Sequence, residues 1–405
     1  MGARTGSATL PLHGGQVPAW LAGRMARLGR AMVEALVLAY GRHEVLRRLA
    51  NPFWFQSLGC VMGMDWHSSG ITTSVIGALK RGLGPIEHEL GIHVCGGRGR
   101  HSRRTPDELL AVGERVGLDG AALGQQSRLV AKVDSAAVQD GYDLYLHAFI
   151  VADDGAWTVV QQGMNGGLRQ ARRYHWLWER AGDFVDQPHA AIEGHPQGLL
   201  LNLTDGQAGP ARTANVALAT GSAEVVTATL ERLPSLELPA HHDVRVEDID
   251  LRRLSGALRV AAERGPRDFP ELLLTPGIGA RTLFALSLVA EVLHGTPSRF
   301  SDPARFSLAH GGKDGHPFPV PLDVYDQTLR VLRDAVDRAK LGNDDRLSAI
   351  KRLDEQCRLA EAASRGRPLP SLPALFSEER ALAPARGGRT VMDDRPRKPR
   401  QLRLF

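Results

Sequence analysis

Apolar positions recur at three- and four-residue intervals through PAWLAGRMARLGRAMVEALVLAYGRHEVLRRLA, which predicts one or two amphipathic helices near the start of the chain. LLAVGERVGLD predicts another short helix. Three runs then change character. SRLVAKVD, YDLYLHAFIV and AWTVVQQGM are rich in Val, Tyr, Phe and Trp and predict extended segments, with Asp153-Asp154-Gly155 turning the second into the third. An antiparallel sheet flanked by helices follows for residues 1–205, an α+β domain. After a connector at 206–243, the helical period returns in DLRRLSGALRVAAERG, ARTLFALSLVAEVLHG, DVYDQTLRVLRDAVDRA and DRLSAIKRLDEQCRLAEAAS, so residues 244–365 predict an all-helical second domain. Beyond Gly366, six prolines, Gly387, Gly388 and many arginines break every pattern. Residues 366–405 bury too little to offset their chain entropy and predict a disordered basic tail.

Composition narrows the class. The 405 residues are 43% hydrophobic, enough for one large or two ordinary domains, and the formal charge of +5 permits nucleic acid as a partner. The three cysteines, Cys60, Cys95 and Cys357, are scattered and form no CxxC pair, which excludes a disulfide framework or a structural zinc site. The first residues carry no apolar signal core, and TLFALSLVAEVL is too short to span a bilayer and contains Glu291. A cytoplasmic, nucleoid-associated protein without a membrane partner is expected.

Within ELLLTPGIGARTLFALSLVAEVL, a PGIG turn separates two helical runs. Gly277 and Gly279 allow close backbone approach, and the turn opens onto a helix N-terminus whose free N–H groups and dipole suit a phosphate. The stretch resembles the helix-hairpin-helix motif of DNA glycosylases, ligases and nuclease subunits, which grips phosphates without reading bases. The resemblance implies DNA contact at Gly277, Ile278, Gly279, Arg281 and Thr282; a helix–helix corner is the plainer alternative. Bifunctional glycosylases carry a Lys where this chain has Arg281, which disfavours Schiff-base chemistry. Asp302 in FSDPARFS suits either a helix N-cap or the carboxylate of a monofunctional glycosylase.

The first domain offers another constellation. Asp65 and His67, in MDWHSSG, suit either a metal pair or a capped helix start. If SRLVAKVD is a strand, Lys132 and Asp134 share a face; by the same period Asp143, Tyr145 and His147 share a face of the next strand, with Asp140 between. Asp65, His67, Asp134, Asp140, Asp143 and His147 then form a candidate Mg²⁺ or Mn²⁺ site for phosphodiester hydrolysis, with Lys132, Asp134 and Asp143 as catalytic candidates; a solvated sheet face is the alternative. The restriction-type Glu-x-Lys strand is missing, since its place reads VVQQGMN. Arg172 and Arg173, interleaved with aromatics in RRYHWLW, and the basic loop of Arg98, Arg100, Arg103 and Arg104 are candidate DNA contacts.

Taken together, PLHGG, WLAGRM, NPFWFQSLGC, DWHSSGITTSVIGALK, KVDSAAVQDGYDLY, VVQQGMN, ARRYHW and PGIGARTL resemble the bacterial and archaeal family known as the domain of unknown function 763 family, over about Gly6 to Ala335. That resemblance implies no established catalytic residues. The tail's QLRLF resembles the pentapeptide by which bacterial polymerases and repair proteins bind the sliding clamp: Gln401 would fill a polar pocket, and Leu402, Leu404 and Phe405 an apolar cleft. The expected function is a DNA-repair or replication protein at the clamp, with a metal-dependent nuclease as first hypothesis. A non-enzymatic adaptor and a monofunctional glycosylase are the alternatives.

Overall fold

Six antiparallel strands form the centre of the fold, described by a computed structural model for residues 10–11, 17, 19–64, 69–194, 197–232 and 250–304 and for positions 330, 334 and 337. The chain begins with β1 (Leu10–Pro11), α1 (Ala19–Tyr40), α2 (Arg42–Ala50), α3 (Pro52–Val61) and α4 (Ser69–Leu83). A short α5 (Glu87–Leu90) leads into β2 (Ile92–Arg98), α6 (Arg100–Arg103), α7 (Thr105–Val116) and α8 (Gly120–Lys132). Then come β3 (Asp143–Ala152), β4 (Trp157–Asn165), β5 (Gln170–Leu177), α9 (Trp178–Ala181) and β6 (His189–Glu193). The remaining helices are α10 (Gly209–Thr220), α11 (Ala223–Arg232), α12 (Leu251–Arg264), α13 (Phe269–Leu274) and α14 (Ala280–His294). The sheet order is β1-β5-β4-β3-β2, and β6 shares the outer edge of β5 with β1.

Both faces of the sheet are covered. Leu146, Ala148, Ile150 and Val160 face a core built from α1 to α4, with Met32, Leu36, Phe55, Ile71 and Val75 fully buried against them. Phe149, Val151, Val159, Tyr174 and Trp176 face the other way, into one core with α7, α8 and α10 to α14. The predicted α+β class holds: a mixed fold with an antiparallel sheet between helices. The segment expected to be a connector contributes α10 and α11, and the described helices of the expected second domain share the core of the sheet's second face. Of the later helical runs, near Asp323 and Asp345, only Arg330, Asp334 and Asp337 are among the described residues, and these are helical; the tail lies outside them.

Two local predictions need correction. SRLVAKVD is not a strand: it forms the end of α8 and continues, at Val133–Ala137, into a single wider π-turn. Its limits are set by Gly117 in a left-handed C-cap of α7 and by Asp119, whose side chain accepts from Ala122 N at 2.9 Å at the start of α8. The basic run after β2 is not a loop either; Arg100–Arg103 coil into the one-turn α6.

Candidate functional site

The wide turn that ends α8 aims Asp134 into the second core, where it is fully buried. Three donors surround its carboxylate. His189 Nε2 lies 2.5 Å from Oδ1, Trp176 Nε1 donates to Oδ2 at 2.9 Å, and Gln161 Nε2 donates to Oδ2 as well. Gln161 passes the network on, since its Oε1 lies 2.6 Å from His147 Nδ1, and His147 Nε2 lies 2.8 Å from Ser127 Oγ. Burial lowers the His147 pKa, against the pull of Gln161 and Asp134, and so keeps the ring neutral.

A second buried network adjoins it. Asp140 Oδ2 accepts from Arg172 Nη1 at 3.0 Å and from Tyr174 Oη at 2.6 Å. Arg172 also reaches Asp302 through two bonds, Nη1 to Oδ1 at 3.1 Å and Nη2 to Oδ2 at 2.8 Å. Burial pushes the Asp140 carboxyl up to about 6, although Arg172, Tyr174 and the Tyr142 N–H all favour its ionised form. Asp302 accepts in addition from Gln197 N at 2.6 Å and from Ala304 N at 2.9 Å, and no helix follows it among the described residues.

Between these networks opens a cleft of about 230 Å³. His189 forms part of its wall, together with Asn202, Thr204, Asp205, Ser301 and Asp302. The chain reaches it from three directions: β6 brings His189, an isolated bridge pairs Val138 with Asn202, and another pairs Leu201 with Phe300. Asn202 Oδ1 accepts from Thr204 N and Oγ1, and Ser301 Oγ donates to Asp205 Oδ2 at 2.9 Å. Burial pushes the Asp205 carboxyl up, but the Gln207 N–H, the Ser301 hydroxyl and the charges of Arg299 and Arg212 outweigh it and hold its pKa below the usual value.

The predicted ligand set is thus brought together only in part. Asp134, Asp140 and His147 lie on the second face, each committed to internal partners. Asp143 is exposed and separate. A bulge is the cause: the register shifts between Leu144 and Leu146, so Leu144 shares a face with His147 and Asp143 does not. Lys132 is not beside Asp134 on a sheet face; its Nζ donates to Ile278 O at 2.7 Å, and burial lowers its pKa. Asp65 and His67 lie outside the described residues. Among the described residues no three His, Cys, Asp or Glu side chains gather as a metal site.

Arg172 and Arg173 also need correction as surface contacts, because both are fully buried. Arg173 pairs with Glu193, donates to Gln56 Oε1 at 3.2 Å and to Thr72 Oγ1 at 3.2 Å, and stands over the Phe55 ring. Arg98, Arg100, Arg103 and Arg104 are exposed at the end of β2, and none has an acidic partner among the described residues. Just before them, Gly96 has φ +86, and a Cβ there would lie 2.3 Å from His147 O, so the close approach of β2 to β3 requires glycine.

The PGIG turn joins α13 to α14. Gly277 has φ +85, Ile278 turns inward and is 1% exposed, and Gly279 is the N-cap of α14 without a side-chain cap. Pro276 and Arg281 are exposed. The turn's carbonyls are held from the sheet side, Ile278 O by Lys132 and Ala280 O by Gln139 Nε2 at 2.8 Å. The segment 132–140 therefore holds the hairpin and supplies Asp134 and Asp140 to the buried networks.

His189, Gln161, Trp176, Asn202, Thr204, Asp205 and Ser301 were not candidates from sequence. His189 stands 55 residues from Asp134, and no local spacing links them. No helix among the described residues is long and apolar enough to cross a membrane.

This architecture, a helix-covered antiparallel sheet carrying a glycine hairpin and a polar cleft, is matched by one family model. Residues 6–320 match the family described as Protein of unknown function (DUF763), and the chain belongs to that family. Neither the curated proteins nor the solved structures contain a match.

Proposed function

We propose that this chain is a DNA-binding protein of repair or replication that grips the phosphate backbone with its hairpin. The observation that carries the reading is the Thr275–Gly279 turn. Its left-handed Gly277 and inward Ile278 leave an uncapped helix N-terminus facing outward, with Arg281 exposed beside it. Unpaired N–H groups, a helix dipole and one arginine make a phosphate site that does not depend on base sequence. The arginines at the end of β2, which have no acidic partner among the described residues, supply further positive charge.

A nuclease using Mg²⁺ or Mn²⁺ is less well supported than binding itself, because Asp134, Asp140 and His147 are already engaged by protein donors. The QLRLF segment supports recruitment to a sliding clamp. Few anchors on an arm give weak affinity, and tethering raises the local concentration at DNA. The test is fluorescence anisotropy of labelled duplexes of unrelated sequence. Comparable affinities, all weakened by Arg281→Glu, are expected. Unchanged affinity in that variant removes the hairpin from the account.

A further inference from the structure

The polar cleft at His189 takes no part in the DNA reading, and the hydrogen bonds along its wall say what it can hold. At about 230 Å³ it is smaller than the roughly 300–1,000 Å³ typical of sites for drug-sized ligands, so it admits one ring-sized group. Its charges are already balanced. Asp302 faces the buried Arg172 guanidinium at 2.8 Å, and Asp205 has Arg299 Nε at 3.7 Å with the Arg212 charge nearby. An anion would meet two carboxylates, and a cation would find both of them paired, so the matching occupant is uncharged.

The wall atoms can be taken one at a time. Each carboxylate or amide oxygen accepts two hydrogen bonds. Asp302 Oδ1 accepts from Arg172 Nη1 and Ala304 N, and Oδ2 from Arg172 Nη2 and Gln197 N, so neither has room for a ligand. Asn202 Oδ1 is filled by Thr204 N and Oγ1. The hydroxyl protons are also engaged within the wall, Thr204 Oγ1 donating to Asn202 and Ser301 Oγ to Asp205. What stays open is a set of acceptors. Thr204 Oγ1 keeps its lone pairs, and Asp205 Oδ2 keeps one. His189 adds a buried acceptor. The ring is 6% exposed and lines the cleft, with Nε2 at 2.5 Å from Asp134 Oδ1. Among the described residues nothing pairs with its Nδ1. Against a carboxylate Nε2 carries the proton, so Nδ1 of the neutral ring presents a lone pair whose direction the buried Asp134 fixes. One donor remains among Asn202, Thr204 and Ser301: Asn202 Nδ2 gives one N–H to Ser301 Oγ at 3.2 Å and keeps the other.

A hydroxyl matches this wall because it donates and accepts at one atom. An ammonium donates only, and an ether accepts only. We infer that the cleft binds one uncharged hydroxylated ring, a monosaccharide or cyclitol moiety, whose hydroxyls donate to His189 Nδ1 and Thr204 Oγ1 and accept from the free Asn202 N–H.

The experiment uses the full-length protein without DNA. The probes are methyl α-D-glucopyranoside, methyl β-D-ribofuranoside and myo-inositol, with tetrahydropyran as a ring lacking hydroxyls and cyclohexylammonium as a ring carrying a cation. Calorimetry measures binding. Imidazole-nitrogen NMR, with His189 assigned from the spectrum of His189→Gln, reports the site. The expected result is saturable millimolar binding of a hydroxylated probe that moves the His189 Nδ1 resonance and leaves Nε2 nearly in place; which probe binds separates sugar from cyclitol. Thr204→Val removes an acceptor hydroxyl at almost constant shape and should weaken binding several-fold. Gln187→Trp, at an exposed position of the mouth, leaves the core untouched and should abolish it, with an unchanged melting temperature. Silence of every hydroxylated probe overturns the inference. Equal binding of tetrahydropyran, or tighter binding of cyclohexylammonium, overturns the chemistry assigned to the wall. Binding that persists in Gln187→Trp overturns the location. None of these outcomes touches the DNA reading, since no DNA is present.

Discussion

The two glycines of the hairpin make opposite predictions, and the structure gives the reason for each. Gly277 sits at φ +85, and a Cβ there would lie 3.0 Å from Ala257 Cβ. Gly279 sits at φ −150 and ψ −174, extended backbone open to any residue, and a Cβ there would meet no atom within 4 Å. Gly277→Ala should therefore cost roughly 1–2 kcal/mol for the left-handed conformation, which lowers the melting temperature by about 2–8 °C. Gly279→Asp should do the reverse. An aspartate at this N-cap accepts from the first-turn N–H groups and complements the helix dipole, for a gain of about 0.3–1 kcal/mol. The same carboxylate would occupy the place proposed for a DNA phosphate. The variant should thus melt no lower than the parent and bind duplex DNA markedly more weakly, measured by calorimetry and by anisotropy on the same preparations. The opposed signs are the point of the experiment, because a folding defect cannot imitate them. Wild-type DNA affinity in Gly279→Asp would refute the assignment of the phosphate to this helix end.

Other expectations follow from the same contacts. Lys132→Met keeps the aliphatic stem and removes the donor to Ile278 O; it should lower stability by about 1.5–3 kcal/mol, as loss of a charged hydrogen bond does, and loosen hydrogen exchange in the hairpin, and unaltered exchange there would show that the tether is idle. Burial, then the nearby Arg173 charge, hold the His175 pKa well below its usual value, opposed only weakly by its bond to Leu49 O. The unfolded ring takes up a proton before the folded one, so this contribution is complete above the ordinary histidine pKa and is lost as pH falls below it. The melting temperature of His175→Gln should accordingly fall less steeply than that of the parent between about pH 6.5 and pH 5, and parallel curves would contradict the assignment. Deleting Gln401–Phe405 should abolish binding to a bacterial sliding clamp in surface plasmon resonance and leave duplex affinity nearly unchanged; clamp binding that survives the deletion would dispose of the tail motif.

Much of the fold was legible because local signals agreed with the final structure. The β3–β4 hairpin follows from its apolar runs and the Asp-Asp-Gly turn, α1 and α2 from their helical period, and the α13–α14 corner from PGIG. SRLVAKVD misled because its Val and Leu residues are as compatible with a strand as with a buried helix. Its true signals lay upstream, in the Gly117 stop and the Asp119 cap. The α7–α8 pair also depends on Gly113 and Gly120, whose backbones approach so closely that a Cβ on Gly113 would lie 2.6 Å from Gly120.

The candidate site was legible only in its anchor. Asp134, Asp140 and His147 lie on one side of the sheet, but Asp134 comes there from the turn after α8 and not from the expected strand. The bulge at Leu144–Leu146 broke the period-two argument that had added Asp143. Arg172 and Arg173 read as a surface stripe because β5 lies between two covered faces, so neither face of the strand has the polar pattern that exposure imposes. His189, Asn202 and Ser301 meet through isolated bridges between distant segments, which leave no trace in local spacing.

The central claim is most directly tested by the salt dependence of duplex binding, measured by anisotropy over a series of salt concentrations for the wild type and for Arg281→Gln. The account predicts a linear fall of log affinity with log salt, insensitive to duplex sequence, and a slope shallower by roughly 1 in the variant, the loss of one phosphate contact. No binding at low salt, or identical slopes for the two proteins, would contradict it.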